Sequence, residues 1–170
     1  MPEKRPDFSF VEAQLRRKTF GVLSTQSPGG SLQATGILYG VSPPRGKLRL
    51  YLVTGRTYLK VRNISRNPEV AFLVPYPHSL LPFVPASCIS LQGTAEILSL
   101  DDPEGREAFA GDRILRSNLK QADSMEGAVF IRIRPKRRVH CYGVGIGLME
   151  IARNPSAAGY SLEIPSDRLG

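Results

Sequence analysis

Residues 48–74, LRLYLVTGRTYLKVRNISRNPEVAFLV, constrain the chain more than any other stretch. They read as strand, glycine-containing loop, short basic helix, Asn-Pro break and strand. Leu48, Leu50 and Leu52 alternate with Arg49 and Tyr51, the period of a half-buried strand, while residues 69–74 form the short apolar run of a strand buried on both faces. Thr57 is the expected N-cap of the intervening helix over 58–66. Asn67-Pro68 ends that helix, because a proline steers the preceding residue out of the helical region. Lys60 in the first turn, with Arg56 just before it, opposes the helix dipole. The arrangement makes sense when an anion sits at the helix start, where free backbone N–H groups favour it by about 0.3–1 kcal/mol. The hydroxyls of Thr54 and Thr57 supply further donors, so the loop is a candidate phosphate cradle. The ordinary alternative is a solvated basic helix after a common Thr-Gly turn. Gly55 is the only glycine here, so the stretch is neither a P-loop nor a dinucleotide fingerprint.

The 170 residues fit one domain, 1–170, with 1–6 as a flexible lead-in and 153–170 as a docked or loose tail. No window approaches the roughly 18 apolar residues of a membrane span. The opening MPEKRPDFSF lacks the apolar segment of a signal peptide, so the expectation is a cytoplasmic chain without membrane association. Cys88 and Cys141 lie in apolar runs and read as buried thiols, and His78 and His140 are isolated, so no metal site is expected. The net charge of +8 is spread over several clusters without a helix-turn-helix or RNA-binding aromatic motif. A surface for anionic ligands accounts for it, with no specific nucleic-acid partner.

Residues 8–18 read as an amphipathic helix with Ser9 and Glu12 spaced for a capping box. Strands at 20–25 and 32–41 flank a Ser-Pro-Gly-Gly turn, and a second Pro/Gly turn leads to the strand at Leu48. These connections are too short for parallel crossovers, so the strands form an antiparallel meander. Residues 75–85 hold too many prolines for a regular element and are expected to loop over a barrel mouth or a subunit contact. A strand at 87–98 follows, with Leu91, Gly93, Ala95 and Ile97 on one face. A helix over 101–121 has Pro103 near its start and a break at Gly111. Strands at 127–134 and 138–151 flank a turn at Pro135, the second carrying Gly143, Gly145 and Gly147 as a bend or a close approach. The expected fold is mainly β with flanking helices, a six-stranded antiparallel split β-barrel.

With this order in place the chain resembles the flavin-binding split barrels of the pyridoxamine 5′-phosphate oxidase-like superfamily. The matching residues are Leu50-Tyr51-Leu52-Val53-Thr54-Gly55, Lys60-Val61-Arg62-Asn63-Ile64, Asn67-Pro68-Glu69-Val70-Ala71 and Gln92-Gly93-Thr94-Ala95-Glu96. The resemblance implies a homodimer with FMN sites at the interface, or a deazaflavin coenzyme in their place, and a small conjugated substrate. Carried over by position, Lys60 is the phosphate-binding lysine, Thr54, Gly55, Arg56 and Thr57 form the phosphate loop, and Thr35 and Tyr51 lie along the ring system. Cys88 falls near a position where the oxidase places a cofactor-touching glutamine. The oxidase itself closes its site with a tryptophan, and this chain has none, so pyridoxamine phosphate oxidation is not expected. The reading is a flavin- or deazaflavin-dependent oxidoreductase, with a flavin- or haem-binding protein without turnover as the alternative. No side chain stands out as an acid or base; Tyr39, Tyr51, His78 and Tyr142 are candidate substrate contacts.

Overall fold

The computed structural model describes residues 6–77 and 84–170. Its framework is an antiparallel sheet in the order β3-β2-β1-β4-β5-β6-β7, rolled into a closed barrel by a further pairing of β3 with β6. The strands are β1 (Phe20–Gln26), β2 (Leu32–Val41), β3 (Leu50–Gly55), β4 (Glu69–Tyr76), β5 (Ser87–Ser99), β6 (Ala128–Tyr142) and β7 (Gly159–Glu163). The helices are α1 (Phe8–Arg16), α2 (Leu59–Arg66), α3 (Pro103–Ala110), α4 (Arg113–Asp123) and α5 (Leu148–Arg153). The expected six-stranded split barrel is present, with β7 as an added edge.

Two strands exchange the environments that the sequence suggests. β3 is buried on both faces because α3 and α4 cover the side that carries Tyr51. β4 instead alternates, with Val70, Phe72 and Val74 inward and Leu73 exposed. Leu23, Leu50, Leu52, Phe72, Ile89 and Ile131 belong to the main core cluster, whereas Tyr51, Phe109, Leu115, Leu119 and Phe130 form a second cluster beneath the helices. There the Phe130 ring meets Tyr51 and Phe109 edge-on, at centroid distances of 5.9 and 5.6 Å.

The turn expected at Pro135 is absent. β6 runs unbroken through it, because its partner β5 shifts register between Leu91 and Gly93 and places Gly93 opposite Pro135. Such an irregularity tolerates a residue with no N–H. On its other edge β6 pairs with β3 up to Ile133 and with β7 from Arg138 onward, so Pro135 falls in the gap between two neighbours. The strand expected to reach residue 151 stops at Tyr142. Gly143 and Gly145, at φ 68° and 74°, turn the chain into α5. A Cβ on Gly143 would lie 2.3 Å from Ser87 Oγ.

Helix caps follow the same logic with different residues. Asp7 caps α1 by accepting from the Phe10 N–H and the Ser9 hydroxyl, and Glu12 is drawn into ion pairs with Arg16 and Arg168 in place of a capping box. The helix expected over 101–121 is two, broken at Gly111, with Asp102 and Asp112 as their caps. The tail is docked: β7 pairs with β6, the Leu48 N–H bonds to the Arg168 carbonyl, and the Arg168 guanidinium reaches Glu12 and the Pro44 carbonyl. Pro75 and Tyr76 extend β4, and most of the proposed loop over 75–85, including His78, lies outside the described residues.

Glu104 fastens α3 to the barrel. Its carboxylate accepts from Arg49 Nη1 at 2.8 Å and from the Tyr51 hydroxyl. Desolvation raises its pKa, but the bonds from Tyr51 and Arg49 together with the charges of Arg49 and Arg132 outweigh that, and the net direction is down. A carboxyl group with a depressed folded-state pKa stabilises above its unfolded value of about 4.3 and loses that contribution as pH falls through the folded value. Urea midpoints measured from about pH 5 to pH 3 should therefore fall more for the parent than for Glu104→Gln.

Candidate functional site

The barrel is open where β2 leaves β3. The two strands pair only through Tyr39↔Leu52, Gly40↔Tyr51 and Val41↔Leu50. From there β3 continues along β6 to Gly55, while β2 stays with β1 back to Leu32. One edge of β2 over 32–38 is thus left without a strand partner among the described residues. Helix α2 packs against β1 and β5 with its start beside the opening, and it is pinned by Asn63, 1% exposed, whose side-chain amide donates to Thr25 Oγ1 at 3.0 Å and Gln33 Oε1 at 3.1 Å. Asn67 repeats the device at the helix end, donating to Gln26 Oε1 and accepting from the Glu69 N–H. Both asparagines of the K-x-x-N-x-x-x-N-P motif therefore hold the helix in place.

Two clefts line this split and share Tyr58 and Lys60. One, of about 520 Å³, lies against Gln33, Ala34, Thr35 and Leu59. The other, of about 260 Å³, runs between Gly36, Ile37, Val53, Thr54 and Gly55 on one side and Asn118 and Gln121 of α4, with Met125 just beyond its end, on the other. Together they reach the size range of about 300–1,000 Å³ usual for small-molecule sites.

Lys60 stands between the clefts. Its ammonium is 3.4 Å from Thr54 Oγ1 and 5.0 Å from the centre of the Tyr58 ring. Burial pulls its pKa below the ordinary lysine value, and no carboxylate pairs with it among the described residues. Arg56, Arg62 and Arg66 likewise have no ion-pair partner among the described residues, whereas most other basic clusters are answered: Arg132 and Arg134 by Glu96, Lys136 by Glu69, Arg137 by Glu163. The N-cap of α2 is Tyr58, not Thr57, because a turn with a Tyr58 N–H to Gly55 carbonyl bond places Thr57 inside it. Tyr58 makes no side-chain cap, so the first N–H groups of α2 are open to an anion at the side where Lys60 stands.

Of the residues expected at the site, the split brings together Thr35, Thr54, Gly55 and Lys60. Arg56 and Thr57 are exposed on the adjoining turn. Tyr51 is not there. It is fully buried under α3 and α4, and burial first, then its bond to Glu104, pushes its pKa up to about 12. Tyr39 is also core, donating from its hydroxyl to the Leu15 carbonyl. Tyr142, half-buried, packs against the cluster of Val84, Ile151 and Ala158. Cys88 and Cys141 are free thiols, and burial raises both. Among the described residues no group of His, Cys, Asp and Glu could hold a metal ion, and no helix is long and apolar enough to cross a membrane. Tyr58, Asn118, Gln121 and Met125 went unforeseen, since nothing in the sequence places α4 beside β2. A separate cavity of about 380 Å³ lies by Arg16, Lys18 and Asp112. Its charges are engaged: Arg16 with Glu12 and the Ser42 carbonyl, Lys18 over the Tyr76 ring, Asp112 with α4.

An antiparallel barrel split between its second and third strands, with a cationic helix start in the gap, is the split-barrel class. The family profile described as pyridoxamine 5′-phosphate oxidase matches residues 9–141, and the chain belongs to that family. No curated protein sequence matches the chain. Among solved structures it is similar to the haem-binding protein of Mycobacterium smegmatis, at 18% identity and a TM-score of 0.69 over 94% of this chain and 59% of that one. The haem storage protein HutZ of Vibrio cholerae matches at 14% and 0.59 over 79% and 94%. The conserved hypothetical protein Rv2991 of Mycobacterium tuberculosis matches at 21% and 0.59 over 82% and 86%. At such identities these likenesses speak to the fold.

Replacing Asn63 by Ala removes both amide bonds and leaves the Thr25 hydroxyl, 3% exposed, without that donor. The variant should lose about 1–3 kcal/mol in chemical denaturation.

Proposed function

We propose that the chain is an FMN-binding oxidoreductase acting on a small conjugated substrate, with the cofactor phosphate on Lys60 and the ring system along the free edge of β2. The observation that carries this reading is the half-buried, unpaired Lys60 ammonium beside the uncapped start of α2. Thr54 at the end of β3 and Arg56 and Thr57 on the turn that follows stand near enough in sequence to complete a phosphate shell. Thr35 and the backbone of β2 over 32–38 offer hydrogen bonds to a flat polar ring. The flavin would supply the hydride chemistry, and the chain binds, orients and shields it. A deazaflavin coenzyme, with the same ribityl phosphate, suits the same cradle.

Haem is the competing ligand, since two proteins of similar fold are named for binding or storing it. The lining of the split contains no His or Cys among the described residues, whereas its cation and open helix start suit a phosphate. That contrast favours FMN. Titration with FMN followed by flavin fluorescence should give saturable binding, and Lys60→Ala should weaken it about 10- to 100-fold, the loss of one charge-assisted hydrogen bond. A Soret band on adding haemin, with no FMN binding, would replace this reading with the haem one.

We also propose a homodimer through the outer face of β2, β1 and β4. Leu32, Phe20 and Leu73 are 79%, 49% and 37% exposed there, beside Ala34, Gly36 and Val22. An exposed apolar sheet face of this kind marks an interaction site, and a second copy covers it with the same residues. Light scattering after gel filtration should give twice the chain mass, with Leu32→Glu shifting the protein toward monomer.

A further inference from the structure

We propose that the groove between β2 and α4 takes a small conjugated carboxylate, with Arg113 binding its carboxylate and the Asn118 and Gln121 amides its polar edge. The proposal deepens the oxidoreductase reading by naming the substrate class of that site, and it rests on that reading for the chemistry though not for binding. The cleft at Lys60 continues past α4: a further recess of about 320 Å³ is lined by Leu38, Arg113, Ile114, Ser117, Asn118 and Gln121, sharing both amides with the first. The groove therefore has a cation at each end, Lys60 and Arg113, with two amides between.

These side chains are unspent. Leu115, Leu119 and Ala122 form the buried stripe of α4, which leaves Ile114, Asn118 and Gln121, about one turn apart, along the groove, with Met125 just beyond the helix end. Neither amide has a side-chain hydrogen bond among the described residues, although Asn118 is half-buried. Arg116 is tied to the Ala110 carbonyl, but Arg113 has no partner among the described residues. The nearby acids do not compete for it: Asp112 accepts from the Ile114 and Leu115 N–H groups, and Asp123 pairs with Arg106. Ile114 and Met125, 57% and 38% exposed, and Leu38 supply apolar walls for a flat body. An unpaired guanidinium beside two free amides and an apolar wall selects a planar molecule with one anionic end.

The test uses trans-cinnamate and its neutral isostere trans-cinnamamide, titrated into ¹⁵N-labelled full-length protein with and without FMN. Cinnamate should bind saturably, shift the Asn118 and Gln121 side-chain amide signals, and bind about tenfold more tightly than the amide. Arg113→Ala should abolish that preference, and Asn118→Ala should weaken both ligands, with thermal unfolding unchanged in each variant. Equal binding of acid and amide, shifts confined to other elements, or no saturable binding overturns the proposal. FMN binding without cinnamate binding overturns it and leaves the oxidoreductase reading standing; cinnamate binding without FMN binding removes that reading and keeps the groove.

Discussion

Three residue pairs join β2 to β3, and the rest of the structure depends on their being so few. An antiparallel pair that continued for the length of β2 would close the barrel and leave no site. Because β3 turns away along β6, one edge of β2 is free and the barrel needs another element to cover its interior. Helix α2 does this with Val61 and Ile64 in the core and Asn63 bonded to Thr25 and Gln33, which face each other on β1 and β2. The same packing brings the start of α2, and with it Lys60, to the mouth of the split. Opening and cation site are one device.

Two supports hold that device in shape. The 15 residues of β6 serve β5 on one edge and β3 then β7 on the other, so a single strand closes the barrel and anchors the tail. On the outside, α3 and α4 roof the buried face of β3, with Gly40 and Gly105 allowing close approach: a Cβ on Gly40 would lie 2.5 Å from the Ala108 carbonyl oxygen. Glu104 bridges Arg49 and Tyr51 beneath that roof. The far wall of the groove is α4, which Leu115 and Leu119 seat in the cluster with Tyr51, Phe109 and Phe130.

Much of the fold was legible. Strand periods, Gly/Pro turns and short connections gave the meander, the break at Gly111 and the placement of α2 between β3 and β4. The errors have a common cause, which is that local pattern does not know what lies outside a strand. Tyr51 alternates like a solvent-facing residue, yet α3 and α4 bury it, so it cannot touch a ring in the split. Pro135 looks like a turn, yet a register shift opposite Gly93 and a gap between neighbouring strands let β6 pass through it. Gly143 and Gly145 look like strand residues on one bare face, yet their positive φ values end the strand. Asp7 and Asp112 cap because they stand one residue before the first helical turn, a placement that spacing alone leaves loose by a residue or two.

The sequence by itself determined the barrel's strand pattern, the basic loop and helix from Arg56 to Arg66, and membership of the oxidase family, because these rest on local periodicity, capping and a contiguous motif. Only the tertiary structure decided which of the cations are left unanswered, since that depends on carboxylates brought in from distant strands: Glu69, Glu96 and Glu163 pair with the cations of β6, and none reaches Lys60. It also decided that α4 faces β2 and supplies Asn118, Gln121 and Arg113 to the groove. Those residues are more than fifty positions from Lys60 in the chain, and only the packing of α4 over β3 brings them to the same opening.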